Sequence, residues 1–346
     1  MYQQEEISGR ARLSRLALLL CGGATLLCGL LSTSLGLLFF AALALATALQ
    51  ALSFRCSRFA LPLIFTALAL LLSYAVGNSC AMLLPVAAIP LAAYCLARAG
   101  ARGENRATVA TSLAGVYALA FLAAAAAALV LLMYADGEQD VLSYLDRTLS
   151  QTVDGVAAQL ADYYKRMAEL YASVGTEIAV IAEADIREIL LTLLSILPAL
   201  LLSLCYLLGL AATYLVQLSA MLCGNGALFT QQNRAYRPSA WLAGAYLFAM
   251  PVAFAWGDFR QAFCLVCMNV AVFSTPVLAF GALKQVPRVF AFMRRMSVGR
   301  LDFLFFAVLL CLFVFSYALY ALPVLAVAYA IYILKSTHSR RKGTRR

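Results

Sequence analysis

The stretch TVATSLAGVYALAFLAAAAAALVLLMY, residues 108–134, is continuously apolar and carries no charged side chain. A bilayer core about 30 Å thick needs roughly 20 apolar residues in a helix, so this stretch is long enough to cross one. Its apolar residues follow one another directly, whereas a membrane β-strand would alternate them with polar ones. The stretch therefore predicts a membrane-spanning α-helix.

Similar apolar runs, separated by short polar connectors, occupy most of the 346 residues. The predicted spans are 15–32, 35–54, 59–76, 80–97, 108–134, 188–222, 239–256 and 261–283. The last apolar region, 301–334, is too long for one simple span and contains Pro323, which favours two short crossings or one broken helix. We therefore expect an all-α, polytopic transmembrane helical bundle of about eight to ten spans, several of them short or broken by proline.

Composition supports this interpretation and excludes a soluble globular domain. Hydrophobic residues make up 64% of the chain and charged residues only 12%, about half the charged share of an ordinary soluble domain. The net charge of +10 comes from basic residues at the ends of apolar runs. Such positions are typical of topology signals, so we expect the lipid bilayer as partner and no nucleic acid.

Basic residues also predict the orientation of the chain in the cell membrane. If both termini are cytoplasmic, 21 of the 26 Lys and Arg residues fall on the cytoplasmic side. The chain then divides into an N-terminal bundle of about five spans, an extracytoplasmic segment, a C-terminal bundle of about four or five spans, and a basic cytoplasmic tail. These parts are 1–134, 135–187, 188–334 and 335–346.

The segment from Asp136 to Glu188 differs from the rest, since it holds eleven of the sixteen acidic residues. Its apolar residues recur at intervals of three or four, which is typical of an amphipathic helix. A single straight helix over this length would reach roughly 60 Å, so we expect a bend or a helical hairpin. The segment is interpreted as a connector docked on the membrane or the bundle, or else as a lid or a partner-binding helix.

Few polar groups lie inside the predicted spans, and charges are nearly absent there, which argues against an ion-coupled carrier. The candidate ligand-binding residues are Asn269, Tyr206, Tyr214, Gln217 and Tyr74. Asn269 lies deep in its span and either makes a hydrogen bond between helices or contacts a ligand.

Sequence motifs for chemistry are lacking. There is no GxSxG, HExxH or phosphate loop, so we expect no enzyme, no catalytic residue and no cofactor. Cys264 and Cys267 form a CxxC, but no histidine or second cysteine pair completes a metal site, and we expect no metal.

Three parts of the C-terminal half carry a resemblance. They are ILPALLLSLCYLLGLAATYLVQLSAML at 196–222, NRAYRPSAWLAGAYLF at 233–248, and the Asn-bearing CLVCMNVAVFSTPVLAFGAL at 264–283. Their pattern resembles the YybS-like family of polytopic membrane proteins, domain of unknown function 2232. The resemblance implies a fold related to the S components of energy-coupling factor transporters, and it supplies no functional residues.

Two functions are compatible with these features. The first is a small-molecule-binding membrane component, transporting alone or coupled to separate ATPase subunits, with a mainly apolar or aromatic ligand in a cavity beneath the 136–188 segment. The alternative is a non-transporting scaffold that organises protein partners through that segment or through the basic loops. A cavity would favour the first function and a solidly packed bundle the second.

Overall fold

The computed structural model describes residues 15–32, 36–56, 59–77, 83–138, 140–173, 181–222, 228, 235–255, 262–285 and 318–343. Its α-helices are α1 Arg15–Leu31, α2 Leu37–Arg55, α3 Ala60–Ala75, α4 Leu83–Ala87, α5 Ile89–Arg102, α6 Arg106–Ala135, α7 Val141–Ser173, α8 Glu183–Leu222, α9 Ala240–Ala255, α10 Ala262–Leu283 and α11 Ala318–Gly343. No β-strand occurs in these ranges. The predicted all-α class is confirmed.

Five apolar stretches in the described ranges are long enough to cross a membrane. They are Leu38–Arg55, Leu83–Arg102, Arg106–Ala135, Glu183–Leu222 and Ala262–Leu283. Their length and composition are the basis of this assignment, and the five stretches are consistent with a multi-pass membrane protein.

Some helices depart from the predicted spans. The span predicted at 80–97 is split into α4 and α5, and Pro90 lies at the start of α5, where its missing N–H costs no hydrogen bond. The span predicted at 188–222 extends back to Glu183 and keeps Pro198 inside one helix. Of the region 301–334, only residues from Ala318 onward are described, so the predicted double crossing lies partly outside the described residues.

The described part of the acidic segment is largely helical, as its spacing predicts. Its first helix, α7, begins after Asp140, whose carboxylate accepts hydrogen bonds from the Leu142 N–H at 3.1 Å and the Ser143 hydroxyl at 2.5 Å. Further along, α7 packs against the start of α8, and Arg187 Nε lies 2.7 Å from Asp154 Oδ1. The helix therefore folds back on α8 as a hairpin.

Two groups of helices form the core. One cluster of buried residues joins α1, α2, α5, α6 and α8, and a second joins α9, α10 and α11. Helix α8 also packs against α10, so it connects the two groups. The crossing of α6 and α8 is close, because a Cβ added at Gly209 would lie 2.8 Å from the Ala110 carbonyl oxygen.

Candidate functional site

Basic side chains gather at one end of the bundle, which we call the basic end. Arg55 Nη2 donates a 2.7 Å hydrogen bond to the Leu228 carbonyl, and the Arg106 N–H donates one of 2.9 Å to the Ala235 carbonyl. The segment that follows Ala235 and the end of α10 meet there as well. The opposite end, which carries the α7–α8 hairpin, is called the acidic end.

Three of the predicted ligand residues lie together on α8 near the basic end. Tyr206 and Gln217 are buried and Tyr214 is half-buried, and all three face α6 or α10. The structure thus brings together the aromatic and amide groups that the sequence analysis selected on this helix.

Arg106 is the central residue of this group. It is the first residue of α6 and only 9% exposed. Its guanidinium donates from Nη2 to Gln217 Oε1, and its Cζ lies 3.7 Å from the centre of the Tyr214 ring. A planar guanidinium can make both contacts at once, since it stacks on a ring face while donating from its edge. Its Nε is buried and has no hydrogen-bond partner among the described residues.

Tyr236 and Lys284 complete the group. Lys284 Nζ lies 5.8 Å from the ring centres of both Tyr214 and Tyr236. The Tyr236 hydroxyl donates to the Val277 carbonyl at 2.6 Å and accepts from the Tyr206 hydroxyl at 2.6 Å. We call Arg106, Tyr206, Tyr214, Gln217, Tyr236 and Lys284 the basic aromatic cluster. It fixes the segment 235–239 against α8 and α10.

Sequence reasoning assigned Arg106 and Lys284 to topology and did not select Tyr236. A local signal for Arg106 exists in Asn105, whose side chain accepts from the Ala107 and Thr108 N–H groups and so caps α6. A cap at Asn105 places Arg106 in the first helical turn. No comparable sequence signal marks Tyr236, because its partners are distant in the chain.

A groove of about 310 Å³ lies on the other side of the 235–239 segment. We call it the hydroxyl groove. Its lining consists of four hydroxyl side chains, one guanidinium and several apolar groups: Ala107, Thr108, Thr111, Ser112, Arg237, Pro238, Ser239, Leu242, Phe273 and Val277. Tyr236 faces the basic aromatic cluster and Arg237 lines the groove, so the two sites share one backbone segment.

The hydroxyl groups of the groove differ in their hydrogen bonds. Thr111 and Ser112 donate to carbonyls one turn back on α6, at 2.9 and 3.2 Å. Thr108 Oγ1 accepts from the Asn105 side chain at 2.9 Å, and Ser239 Oγ accepts from the Leu242 N–H at 3.2 Å. In the described part of the chain, Thr108 and Ser239 therefore keep their hydroxyl protons for another acceptor.

The other two predicted ligand residues lie elsewhere. The Asn269 amide donates to the Ser195 and Leu265 carbonyls at 3.1 and 3.0 Å, near the Pro198 position of α8. Its Oδ1 is buried and has no hydrogen-bond partner in the part of the chain that the structure describes. Tyr74 lies at the end of α3 and is 66% exposed. Neither residue contributes to the basic aromatic cluster or the hydroxyl groove.

Two further cavities were found near the basic end. One of about 600 Å³ lies between α9 and α11 and is almost entirely apolar, with Trp241 and Phe248 in its wall. The other, of about 10 Å³, adjoins Arg106 and Gln217 and has room for one water. None of the three cavities is lined by described residues of 136–188.

Cys264 and Cys267 are both buried on α10. Within the described ranges, no three His, Cys, Asp or Glu side chains gather in a metal-binding arrangement.

No protein-family model, curated protein or solved structure matches this chain. The resemblance to the YybS-like family and to transporter S components stays a prediction.

Proposed function

We propose that this chain is a multi-pass membrane protein that binds a small molecule in the hydroxyl groove at the basic end of its bundle. The observation that carries the proposal is the chemistry of the groove wall on α6. Thr108, Thr111 and Ser112 are exposed there, whereas the same helix exposes Leu119 and Leu122 farther along. Hydroxyl groups confined to a concave part of an otherwise apolar helix are suited to fixing the orientation of a bound molecule.

Size and rigidity support the same proposal. A volume of about 310 Å³ falls at the lower end of the range of small-molecule sites. One wall is held by the hydrogen bonds of Tyr236 to Tyr206 and to the Val277 carbonyl. A wall that is already fixed before binding reduces the loss of conformational entropy when a ligand binds. Of the ligand residues predicted on α8, Tyr206 thus holds the segment that forms one wall of the groove.

In a transport role, this component depends on separate ATPase subunits for energy. The sequence has no phosphate loop, and its predicted spans lack a relay of titratable groups. This part of the proposal agrees with the S-component resemblance.

Filling the groove tests the proposal. Thr111→Leu replaces a hydroxyl side chain of the groove wall with a bulkier apolar one, while Leu119→Phe adds bulk to an exposed position of the same helix outside the groove. Thermal stabilisation of the purified full chain would be measured across a panel of metabolites and lipids. We expect at least one compound that stabilises the wild type and Leu119→Phe and has no effect on Thr111→Leu. Equal responses of both variants would contradict binding in the groove.

One observation favours the alternative of a scaffold. Helix α7 exposes several apolar side chains, among them Leu142, Val156, Tyr163 and Leu170, which follow one another at intervals of fourteen, seven and seven residues. Such a row is typical of a helix that packs against a partner. Under this alternative, Tyr163→Lys abolishes association with a partner protein and Thr111→Leu leaves that association unchanged.

A further inference from the structure

We infer that the hydroxyl groove binds the phosphate of an anionic membrane lipid. This inference rests on the proposed function, because it names the class of ligand for the same groove. It is carried by three features of a single groove: a guanidinium with no ion-pair partner among the described residues, two available hydroxyl protons, and an apolar extension.

The positive charge comes from Arg237. Its side chain is exposed in the groove and forms no ion pair with a described residue. The acidic residue nearest in sequence to the start of α6, Glu104, lies 3.7 Å from Arg102 and lines the small neighbouring cavity instead. An anion entering the groove therefore meets a guanidinium whose charge no carboxylate of the described residues offsets.

Hydrogen-bond donors accompany this charge. Thr108 and Ser239 accept hydrogen bonds through their oxygens and keep their hydroxyl protons for a further acceptor. A phosphate diester offers acceptor oxygens, so it can receive the guanidinium and both hydroxyl groups. The backbone amides of Ala107 and Thr108 already donate to the Asn105 side chain. The phosphate is therefore recognised by the guanidinium and the two hydroxyl groups.

The apolar part of the groove favours a lipid over a soluble phosphate. On α10, Val277 and Phe273 lie about two and three turns before Lys284, and so farther from the basic end. The groove thus passes from charged and hydroxyl groups to apolar ones in the direction of the predicted bilayer core. A lipid changes in the same direction, from a charged headgroup to an apolar acyl chain. Anionic lipids are also attracted to a basic membrane surface.

Lipid retention by the full-length protein provides the test. The protein would be purified in detergent, exposed to equimolar dioleoyl phosphatidylglycerol and dioleoyl phosphatidylcholine, and the retained lipids would be counted by native mass spectrometry. The test variant is Arg237→Gln. The control is Arg102→Gln, which removes an exposed arginine at the same end but outside the groove.

We expect the wild type and Arg102→Gln to retain one phosphatidylglycerol in preference to phosphatidylcholine. Arg237→Gln should lose this preference by about tenfold, the effect of one charge-assisted hydrogen bond. A double variant, Thr108→Val with Ser239→Ala, should weaken retention while keeping the charge. Equal losses in Arg237→Gln and Arg102→Gln would overturn the inference, because they would indicate only the general field of the basic end.

Two outcomes separate this inference from the proposed function. Displacement of the lipid by millimolar inorganic phosphate would indicate a soluble phosphate ligand, which overturns the lipid assignment and leaves small-molecule binding in place. If the wild type shows no lipid preference and Thr111→Leu responds to ligands as the wild type does, both the lipid inference and the proposed function are contradicted.

Discussion

The guanidinium carbon of Arg106 lies 3.7 Å from the centre of the Tyr214 ring, which joins the first turn of α6 to the last turns of α8. Gln217, one turn beyond Tyr214, accepts a hydrogen bond from the same guanidinium. A buried cation thus depends on one ring face and one amide oxygen, and it forms no ion pair with a described residue.

This dependence predicts the effect of changing the ring. Tyr214→Leu should lower the free energy of unfolding by about 1–2 kcal/mol, because the desolvated cation loses its aromatic face. Tyr74→Leu is the control, since Tyr74 is largely exposed and should change stability little. Arg106→Lys should cost about as much as Tyr214→Leu, because an ammonium cannot stack flat and also reach Gln217. Unfolding in detergent measures all three, and equal stabilities of the two tyrosine variants would contradict the stacking.

The close crossing of α6 and α8 makes a second prediction. Gly209→Ala would place a Cβ 2.8 Å from the Ala110 carbonyl oxygen and 2.9 Å from Leu113 Cβ, so the helices must separate. We expect a loss of about 1–3 kcal/mol in unfolding free energy. Gly115→Ala, on α6 with open space around it, should be neutral or slightly stabilising because alanine favours helix. Similar melting temperatures for both variants would show that α6 and α8 are not packed this closely.

The helices were largely predictable because apolar run length and proline positions act locally. The run at 108–134 became α6, Arg106–Ala135, with ends within two residues. The end of α8 at Leu222 agrees as well, but its start moved to Glu183. That extension depends on packing against α7. The length of an apolar run gives no information about such packing.

The site was only partly predictable. Polar groups inside apolar runs indicated Tyr206, Tyr214 and Gln217, which the fold gathers. Sequence alone did not relate them to Tyr236, since Tyr236 lies in the separate segment 235–239 and meets Tyr206 only in the folded chain. The groove hydroxyls were missed because threonine and serine in an apolar run ordinarily bond to their own helix, as Thr111 does.

A third prediction concerns pH at the start of α7. Hydrogen bonds from the Ser143 hydroxyl and the Leu142 N–H lower the pKa of Asp140 below its ordinary value. The folded helix start therefore favours the ionised carboxylate, so its contribution is present above the ordinary carboxyl pKa and is lost as pH falls through the lowered one. Exchange of the Leu142 amide should accelerate relative to the rest of α7 as the pH falls below about 4. Asp140→Asn should flatten this pH dependence, and an unchanged profile would contradict the assignment.

The fourth prediction is the orientation of the two ends. Reporter fusions after Arg106 and after Arg147 should give opposite compartment signals, cytoplasmic for the first and extracytoplasmic for the second. A fusion after Arg346 should report the cytoplasm if the region 301–334 crosses twice. The same signal after Arg106 and Arg147 would contradict a crossing by α6.

The last prediction tests whether α7 is docked on α8. Val153 is 8% exposed, whereas Val156, three residues farther along the same helix, is 38% exposed, so Val153 lies deeper in the packed surface of α7. Val153→Asp would bury a carboxylate without a partner at the α7–α8 contact and should weaken docking by about 3 kcal/mol. Val156→Asp makes the same chemical change at a more exposed position, where the carboxylate keeps contact with water, and should have a smaller effect. The Arg187–Asp154 ion pair is exposed and contributes little, so it cannot hold the hairpin after the contact is lost. Protease applied to the extracytoplasmic side of intact membranes should cut Val153→Asp within α7 much faster than Val156→Asp, and equal cutting rates would show that this face is not buried against α8.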